Sequence, residues 1–272
     1  MAPVGLHAAW RSWWMVVRLG MRRMIWSMQS LAAMAMVVGL AVLVLILRMM
    51  FERQEQTEFN VVFFGQRVLD FIYLRFLLPM LCLCYGTQSL GGDWEEKSLV
   101  WLLTRPIPRP MIYLAKYVAA VPLTVGLALG GLFLLGLAGG EPGRAAAFAF
   151  WPVVVWGSLA YLALFLFLGC AFRRSTVIGV VYTFVIEAIL SNMPGLVKRI
   201  CISFYDRCLL YDIAKEQGWD TYQGRPGISP DRIGFFVPVE GTTACWVLTG
   251  VTIGLLLLGL WIFSLREYQD LT

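Results

Sequence analysis

Charged side chains are scarce in this sequence: Asp, Glu, Lys and Arg make up 14% of its 272 residues, whereas 59% are hydrophobic. Soluble domains carry roughly 25% charged and 45–50% apolar residues. The shortage excludes an ordinary water-soluble domain and indicates that lipid surrounds much of the chain. The net charge of +5 does not indicate nucleic-acid binding, because the basic residues flank apolar runs instead of forming one stripe.

Histidine is almost absent, since His7 is the single one and it lies outside the apolar runs. Intramembrane metalloenzymes need histidine ligands, and a serine protease of the rhomboid type needs a histidine within its spans. The adjacent Glu95 and Glu96 resemble the glutamate pair of prenyl-dependent proteases, but the histidines of those enzymes are missing. An intramembrane enzyme is therefore a minor alternative, and we predict no metal or other cofactor in this chain.

Cysteine does not indicate a disulfide framework. Cys201 and Cys208 lie in a polar segment, and on one helix they would be about 10 Å apart along the axis, too far for a bridge. The other four lie within apolar runs, where a thiol simply packs: Cys82, Cys84, Cys170 and Cys245. We expect free thiols.

Long apolar runs dominate what remains. Each is near or above the roughly 17 residues that a spanning helix needs, and none alternates as a strand would. Lipid cannot satisfy an open backbone, so helices are required. We therefore expect an all-α polytopic membrane protein with six transmembrane helices, at about 30–49, 71–90, 113–138, 146–171, 175–193 and 242–264.

A different element precedes the first span, at about residues 8–26. Trp10 and Trp14 recur at helical spacing with other apolar residues, and Arg11, Arg18 and Arg22 occupy another face. This pattern is typical of an amphipathic helix that lies in the membrane interface. A cleaved signal peptide is the weaker alternative, because the first apolar run begins only near residue 30 and no small-residue cleavage site follows it.

Basic residues predict the orientation, since cytoplasmic loops are enriched in Lys and Arg. The clearest marker is the short turn with Arg173 and Arg174. It indicates a multi-pass protein of the cell membrane with both termini in the cytoplasm. The acid-rich residues 50–70 and the long segment 194–241, with its amphipathic helical pattern, then lie outside.

The cytoplasmic loop 91–112 has an unusual design. Gly91 and Gly92 are expected to end the second span, and Asp93 to begin a short helix with Glu96 as its capping-box partner. Pro106 stops that helix, because its ring clashes with the preceding turn. The helix presents Leu99, Leu102 and Leu103 on one face. It favours a docking site for a cytosolic partner; an interfacial helix that dips its leucines into lipid is the alternative.

This loop resembles that of the type-2 ABC exporter permeases. Their loop has an acidic start, leucines, Thr/Ser-x-Pro-[Ile/Val]-x-Arg and then a Tyr-Leu-x-Lys-like helix. The departure is Lys97-Ser98, where the family usually has Gly-Thr. The matching residues are Glu95, Glu96, Ser98, Leu99, Leu102, Leu103, Thr104, Pro106, Ile107, Arg109, Tyr113, Leu114 and Lys116.

The resemblance implies a permease that dimerises, with an identical or a different copy, and that docks a cytosolic ABC ATPase. ATP and Mg²⁺ belong to that partner, because this chain lacks the phosphate loop G-x-x-x-x-G-K-[ST]. A non-transporting membrane scaffold or sensor on the same fold is the alternative. The residues expected to dock the ATPase are Asp93, Glu95, Glu96, Leu99, Leu102, Leu103, Thr104, Pro106 and Arg109.

Two ionisable residues, Arg75 and Glu187, lie within the second and fifth predicted spans at similar depths from their outer ends. Intramembrane charges normally face a partner or a wet cavity. We predict that the two form a pair. In the resembled family the second and fifth spans line the translocation path, so the pair is either part of that path or a structural clamp.

Glycines spaced four residues apart recur in the third and sixth predicted spans. This spacing lets two helices approach closely. The pairs are Gly126/Gly130, Gly136/Gly140 and Gly250/Gly254.

Overall fold

The computed structural model describes residues 6–53, 61–95, 109–172, 174–187, 189–190, 197–219 and 239–265. This part of the chain is helical and contains no strand. The α-helices are α1 (Leu6–Ile25), α2 (Met28–Arg53), α3 (Val61–Phe63), α4 (Leu78–Glu95), α5 (Arg109–Ala138), α6 (Gly140–Ala171), α7 (Ser175–Val181), α8 (Ile202–Glu216) and α9 (Gly241–Leu265). The expected all-α class is confirmed for these residues.

Within the described ranges, five helices are long and apolar enough to cross a membrane, so this is a multi-pass membrane protein. They are Met28–Phe51, Val61–Leu90, Pro110–Ala138, Gly140–Ala171 and Gly241–Leu265. The fifth predicted span, 175–193, corresponds to a shorter apolar helix, Ser175–Glu187. At 1.5 Å per residue this helix is about 20 Å long, less than the roughly 30 Å of a bilayer core. A sixth crossing therefore stays a prediction.

The long helix that contains the second predicted span extends beyond it at both ends. It begins at Val61, within the stretch expected to be a polar outer segment. At the other end, α4 continues through Gly91 and Gly92 to Glu95. The apolar span ends at Leu90, just before the glycines as expected. The helix does not end there, because a helical glycine costs only about 1 kcal/mol and leaves the hydrogen-bond ladder intact. Asp93 consequently lies inside this helix and does not begin a new one.

Two stretches of this bundle are π-helical. One, π1, runs over Phe64–Leu77 between α3 and α4, and the other, π2, continues α7 over Tyr182–Glu187. A π-helix bonds each carbonyl to the amide five residues on, so residues five apart become neighbours along its surface; such segments are frequent at functional sites. Both predicted intramembrane charges lie in these two segments.

At one end of the bundle α1 contacts the start of α5, and the end of α9 contacts both the start of α5 and the end of α6. The indole of Trp13 donates to the carbonyl of Met111 at 2.9 Å. The ring of Tyr113 lies against Gly259, and the thiol of Cys170 donates to the Gly259 carbonyl at 3.9 Å. We call this the α1 end.

At the opposite end α8 packs beside the start of α6 and the start of α9. The rings of Phe150 and Trp219 lie 5.7 Å apart, centroid to centroid, and Asp212 lies against Gly241. The turn between α5 and α6 is here too, with Gly140 at φ +74°, a left-handed conformation that favours glycine. We call this the α8 end. α5 therefore runs from the α1 end to the α8 end, whereas α6 and α9 both run from the α8 end to the α1 end.

All six cysteine thiols are free and lie in the described part of the chain. Cys201 and Cys208 are both buried. Cys201 is the residue before α8, and Cys208 lies within that helix. Their placement agrees with the spacing argument made from the sequence.

Candidate functional site

The first candidate site is a surface at the α1 end, where α1 lies along the first turns of α5. Besides the bond from Trp13 to Met111, a small cluster of buried side chains joins the two helices: Val16, Val17, Ala115 and Ala119. Because α5 begins at Arg109, the downstream arm of the predicted docking loop and the N-terminal helix form one continuous surface.

The apolar residues of α1 divide between protein and surroundings. Val17 and Met24 are buried in the bundle, whereas Trp14 is 54% exposed. Arg18 and Arg22 are exposed as well. Part of the predicted apolar face is thus a helix–helix contact, and the interfacial position of α1 stays a prediction. The side chains of Trp10 and Arg11 lie outside the described residues.

A cleft opens where α1 meets α4 and α5. Lys116 is buried beside it. The lining residues are Gly20, Arg23, Met24, Gln88, Ser89 and Lys116. The cleft places cationic side chains of two elements next to the last turns of α4, where the docking loop begins.

The predicted docking residues fall mostly outside the described part of the chain. Asp93 and Glu95 lie in the last turn of α4 and Arg109 is the first residue of α5, and of these three the backbone alone is described. The remaining members are outside the described residues altogether: Glu96, Leu99, Leu102, Leu103, Thr104 and Pro106. The structure fixes both helices that carry the loop, and the docking role stays a prediction.

The second candidate site is a polar cluster between π1, π2 and α8. Asp70 of π1 forms ion pairs with two arginines. Its Oδ2 lies 3.8 Å from Nη2 of Arg75, and its Oδ1 lies 3.1 Å from Nε of Arg207. Glu187 accepts hydrogen bonds from the first amides of α8, the helix whose Arg207 reaches the same Asp70 as Arg75 does. The predicted pair of Arg75 and Glu187 is thus brought into one neighbourhood, but the direct bond between them stays a prediction.

Sequence reasoning missed Asp70 and Arg207 as members of this cluster. Asp70 and Arg75 are five residues apart, which places them on different faces of an α-helix but on one face of a π-helix. The spacing of five is therefore the signal, and it is readable only when the π-helical conformation is known. Arg207 lies far along the chain, and only the packing of α8 against π1 brings it near.

Glu187 accepts hydrogen bonds at the beginning of α8. Its Oε1 accepts from the amide of Ile202 at 3.1 Å, and its Oε2 from the amide of Ser203 at 3.2 Å. The hydroxyl of Tyr182 donates to Oε1 at 3.1 Å. The first amides of a helix have no partner within the helix, and they favour a negative charge. Glu187 thereby joins the end of π2 to the start of α8.

Residues 16–202 match the family described as ABC-2 family transporter protein. The chain belongs to this family. The match covers well over half of the chain, from within α1 to the first residue of α8, and includes the docking loop and both π-helices. No curated protein matches the chain.

Membership of the ABC-2 family makes this chain a transport subunit and not itself a catalyst. Among the described residues no group of three or more His, Cys, Asp or Glu side chains could hold a metal ion.

Proposed function

We propose that this chain is the membrane-spanning permease subunit of an ATP-driven exporter in the cell membrane, with a separate cytosolic ABC ATPase as its motor. The observation that carries the proposal is the contact of α1 with the first turns of α5. It makes one surface from the N-terminal helix and the arm of the loop whose residues 93–109 resemble the ATPase-docking loop of these permeases.

The ATPase would act on this surface by direct mechanical contact. Closure of two ATPases upon ATP binding would press on the docking loop, and α4 and α5 lead from its two ends into long apolar helices. Packed helices transmit such movement because interfaces have discrete arrangements and do not deform continuously. The dimer, whether of two identical or two different permeases, would then alternate access across the membrane.

Removal of the leucine face should separate ATP hydrolysis from transport. We expect a variant with Leu99→Ala, Leu102→Ala and Leu103→Ala to bind the co-expressed ATPase at least tenfold more weakly, since about 1–3 kcal/mol is lost for each buried interface leucine. Affinity co-purification and ATPase turnover of the complex in lipid measure this.

The matched control removes three exposed leucines of α9, Leu257, Leu258 and Leu265, in the same way. This variant should retain the ATPase. Equal retention by both variants would overturn the docking proposal. Retention of the ATPase by wild type without any transport-linked turnover would favour the scaffold or sensor alternative.

We also propose that Arg75 and Glu187 act as a structural clamp through their shared cluster. The support is that Glu187 is fully buried and already bonded to α8, while Arg75 lies beside Asp70. A buried ion cluster of this kind is costly to break by removing one partner. The clamp would hold α8 against π1 during the movement of the spans.

A further inference from the structure

A second carboxyl group, that of Asp206, belongs to α8 and lies about one helical turn after the amides of Ile202 and Ser203 that donate to Glu187. Asp206 is 0% exposed. Neither of its carboxylate oxygens has a hydrogen-bond partner among the described residues. An ionised carboxylate without donors is among the most unfavourable groups to bury, and such a group normally becomes neutral.

The two buried acids differ in their partners. Glu187 has three donors: the amides of Ile202 and Ser203 and the hydroxyl of Tyr182. These donors support a negative charge on Glu187, and Asp206 has no such support. Complete burial raises the pKa of the Asp206 carboxyl, and the negative charge of Glu187 raises it further.

Among the described residues, the cationic side chains nearest to Asp206 in the sequence have other partners. Arg207, its neighbour in sequence, pairs with Asp70 on π1. Lys198 belongs to a 3₁₀ helix, Val197–Ile200, and its Nζ lies 5.7 Å from the centroid of the Phe204 ring. The titratable groups that interact with Asp206 from the packed elements are Glu187 of π2, Tyr161 of α6, Cys82 of α4 and Cys208 of α8 itself. On α9, Cys245 interacts with Asp212 and not with Asp206.

The fit of α6 against Asp206 is close. A Cβ placed on Gly157 would lie 2.7 Å from Oδ2 of Asp206 and 2.9 Å from Oδ1. Glycine is the residue that lets the helix backbone come this near to the carboxyl. The contact seals the group between α6 and α8, so burial is a property of the packed position of α8.

We propose that Asp206 is a proton-binding site: while α8 is packed in the bundle it is a neutral carboxylic acid, and Glu187 is the anion of the pair. One proton is bound at a carboxyl oxygen of Asp206. It passes to water when α8 moves out and the carboxyl becomes solvated, leaving aspartate. Packing of α8 therefore takes up one proton, and its departure releases one.

The sign of the pH dependence follows from this linkage. The folded state binds more protons than the unfolded state between the pKa of a free aspartate, about 3.9, and the raised pKa of Asp206. In that window stability falls as pH rises. Low pH thus favours the packed position of α8. This property does not depend on the substrate or on the ATPase.

The first test compares purified full-length wild type with Asp206→Asn and, as a matched control on the same helix, Asp212→Asn. In detergent, titration of this one site should lower the folded-to-unfolded ratio of wild type by up to tenfold for each unit of rising pH. Asp206→Asn should lack that component and be at least as stable at neutral pH. Asp212→Asn should keep it. A less stable Asp206→Asn variant with the wild-type pH slope would overturn the proposal.

The second test needs no unfolding. At neutral pH, infrared spectra of wild type should contain the carbonyl band of a protonated carboxylic acid, because exposed carboxyls are ionised. The band should persist in Glu187→Gln and Asp212→Asn and vanish in Asp206→Asn. If Asp206→Asn fails to fold, absence of the band in wild type still overturns the proposal. Loss of the band in Glu187→Gln alone would assign the proton to Glu187 and overturn it equally.

Discussion

At the scale of single residues, the partners of a buried acid decide what it does. Glu187 and Asp206 are both fully buried, yet the first accepts hydrogen bonds from three donors and the second from none in the described part of the chain. The sequence marks Glu187 as exceptional, because it is a charge in an apolar run. It does not mark Asp206, which lies in a segment where acids are ordinary.

We predict that Glu187→Ala destabilises the protein by about 2–4 kcal/mol, since it leaves the amides of Ile202 and Ser203 buried without partners at roughly 1–3 kcal/mol each. Glu187→Gln should lose less, because an amide oxygen still accepts one bond. Denaturant unfolding in detergent, followed by tryptophan fluorescence, measures both variants. Equal stabilities of the two would argue against the capping role.

The same variants test the clamp with Arg75. We expect the double variant Arg75→Ala and Glu187→Ala to be more stable than the sum of the single effects predicts, by about 0.5–3 kcal/mol. The exchange Arg75→Glu with Glu187→Arg should restore part of the loss. Strict additivity, with no rescue by the exchange, would show that the two residues act separately.

At the scale of elements, glycine spacing in the sequence is a poor guide to where helices approach. Of the predicted pairs, Gly136 would bring a Cβ within 2.7 Å of Ala147 on α6, but a Cβ on Gly126, Gly130, Gly250 or Gly254 would meet nothing within 4 Å in the described chain. The closest crossing of α4 with α6 uses Gly86, which belongs to none of the pairs. Whether a glycine lies at a close contact depends on the helix that packs against it, and glycine spacing within one helix does not reveal that neighbour.

Gly86→Ala should therefore cost stability where Gly126→Ala should not. A Cβ at position 86 would lie 2.6 Å from the Cβ of Phe165 and 3.2 Å from the amide nitrogen of Leu166. Overpacking of this kind costs about 1–3 kcal/mol, whereas the open position 126 gains helix propensity of up to about 1 kcal/mol. Thermal unfolding of the two variants in the same detergent checks the difference, and a Gly86→Ala midpoint at or above that of Gly126→Ala would contradict it.

At the scale of the whole molecule, the direction of the helices supports an even number of crossings. α1 packs at the same end of the bundle as the last turns of α9. The short apolar helix Ser175–Glu187 occupies the position of the fifth predicted span. A crossing there would complete the six that hydropathy predicts.

Tags at the two termini test this arrangement. We expect both to be protected from protease added to the outside of intact cells and to become accessible after the membrane is permeabilised. A tag inserted within residues 220–238, predicted to be an outer loop, is the control and should be accessible at once. Accessibility of one terminus from outside would leave an odd number of crossings.

Composition, hydropathy and the loop motif were enough to predict the helical class, the long apolar segments and the family. These follow from local composition and period: lipid requires helices of a certain length, and residues 93–116 carry the loop pattern whatever they pack against. It also identified Arg75 and Glu187, because a charge in an apolar run is visible without a partner.

The residues that join Arg75 and Glu187 became visible only in the packed fold. Asp70 lies on the face of Arg75 because π1 is a π-helix, Arg207 arrives with α8, and Asp206 is buried because Gly157 lets α6 come close. Each of these depends on a backbone conformation or on a contact between elements distant in the chain. Local composition and α-helical periodicity do not contain that information, and so they could not reveal the partners of the two charges.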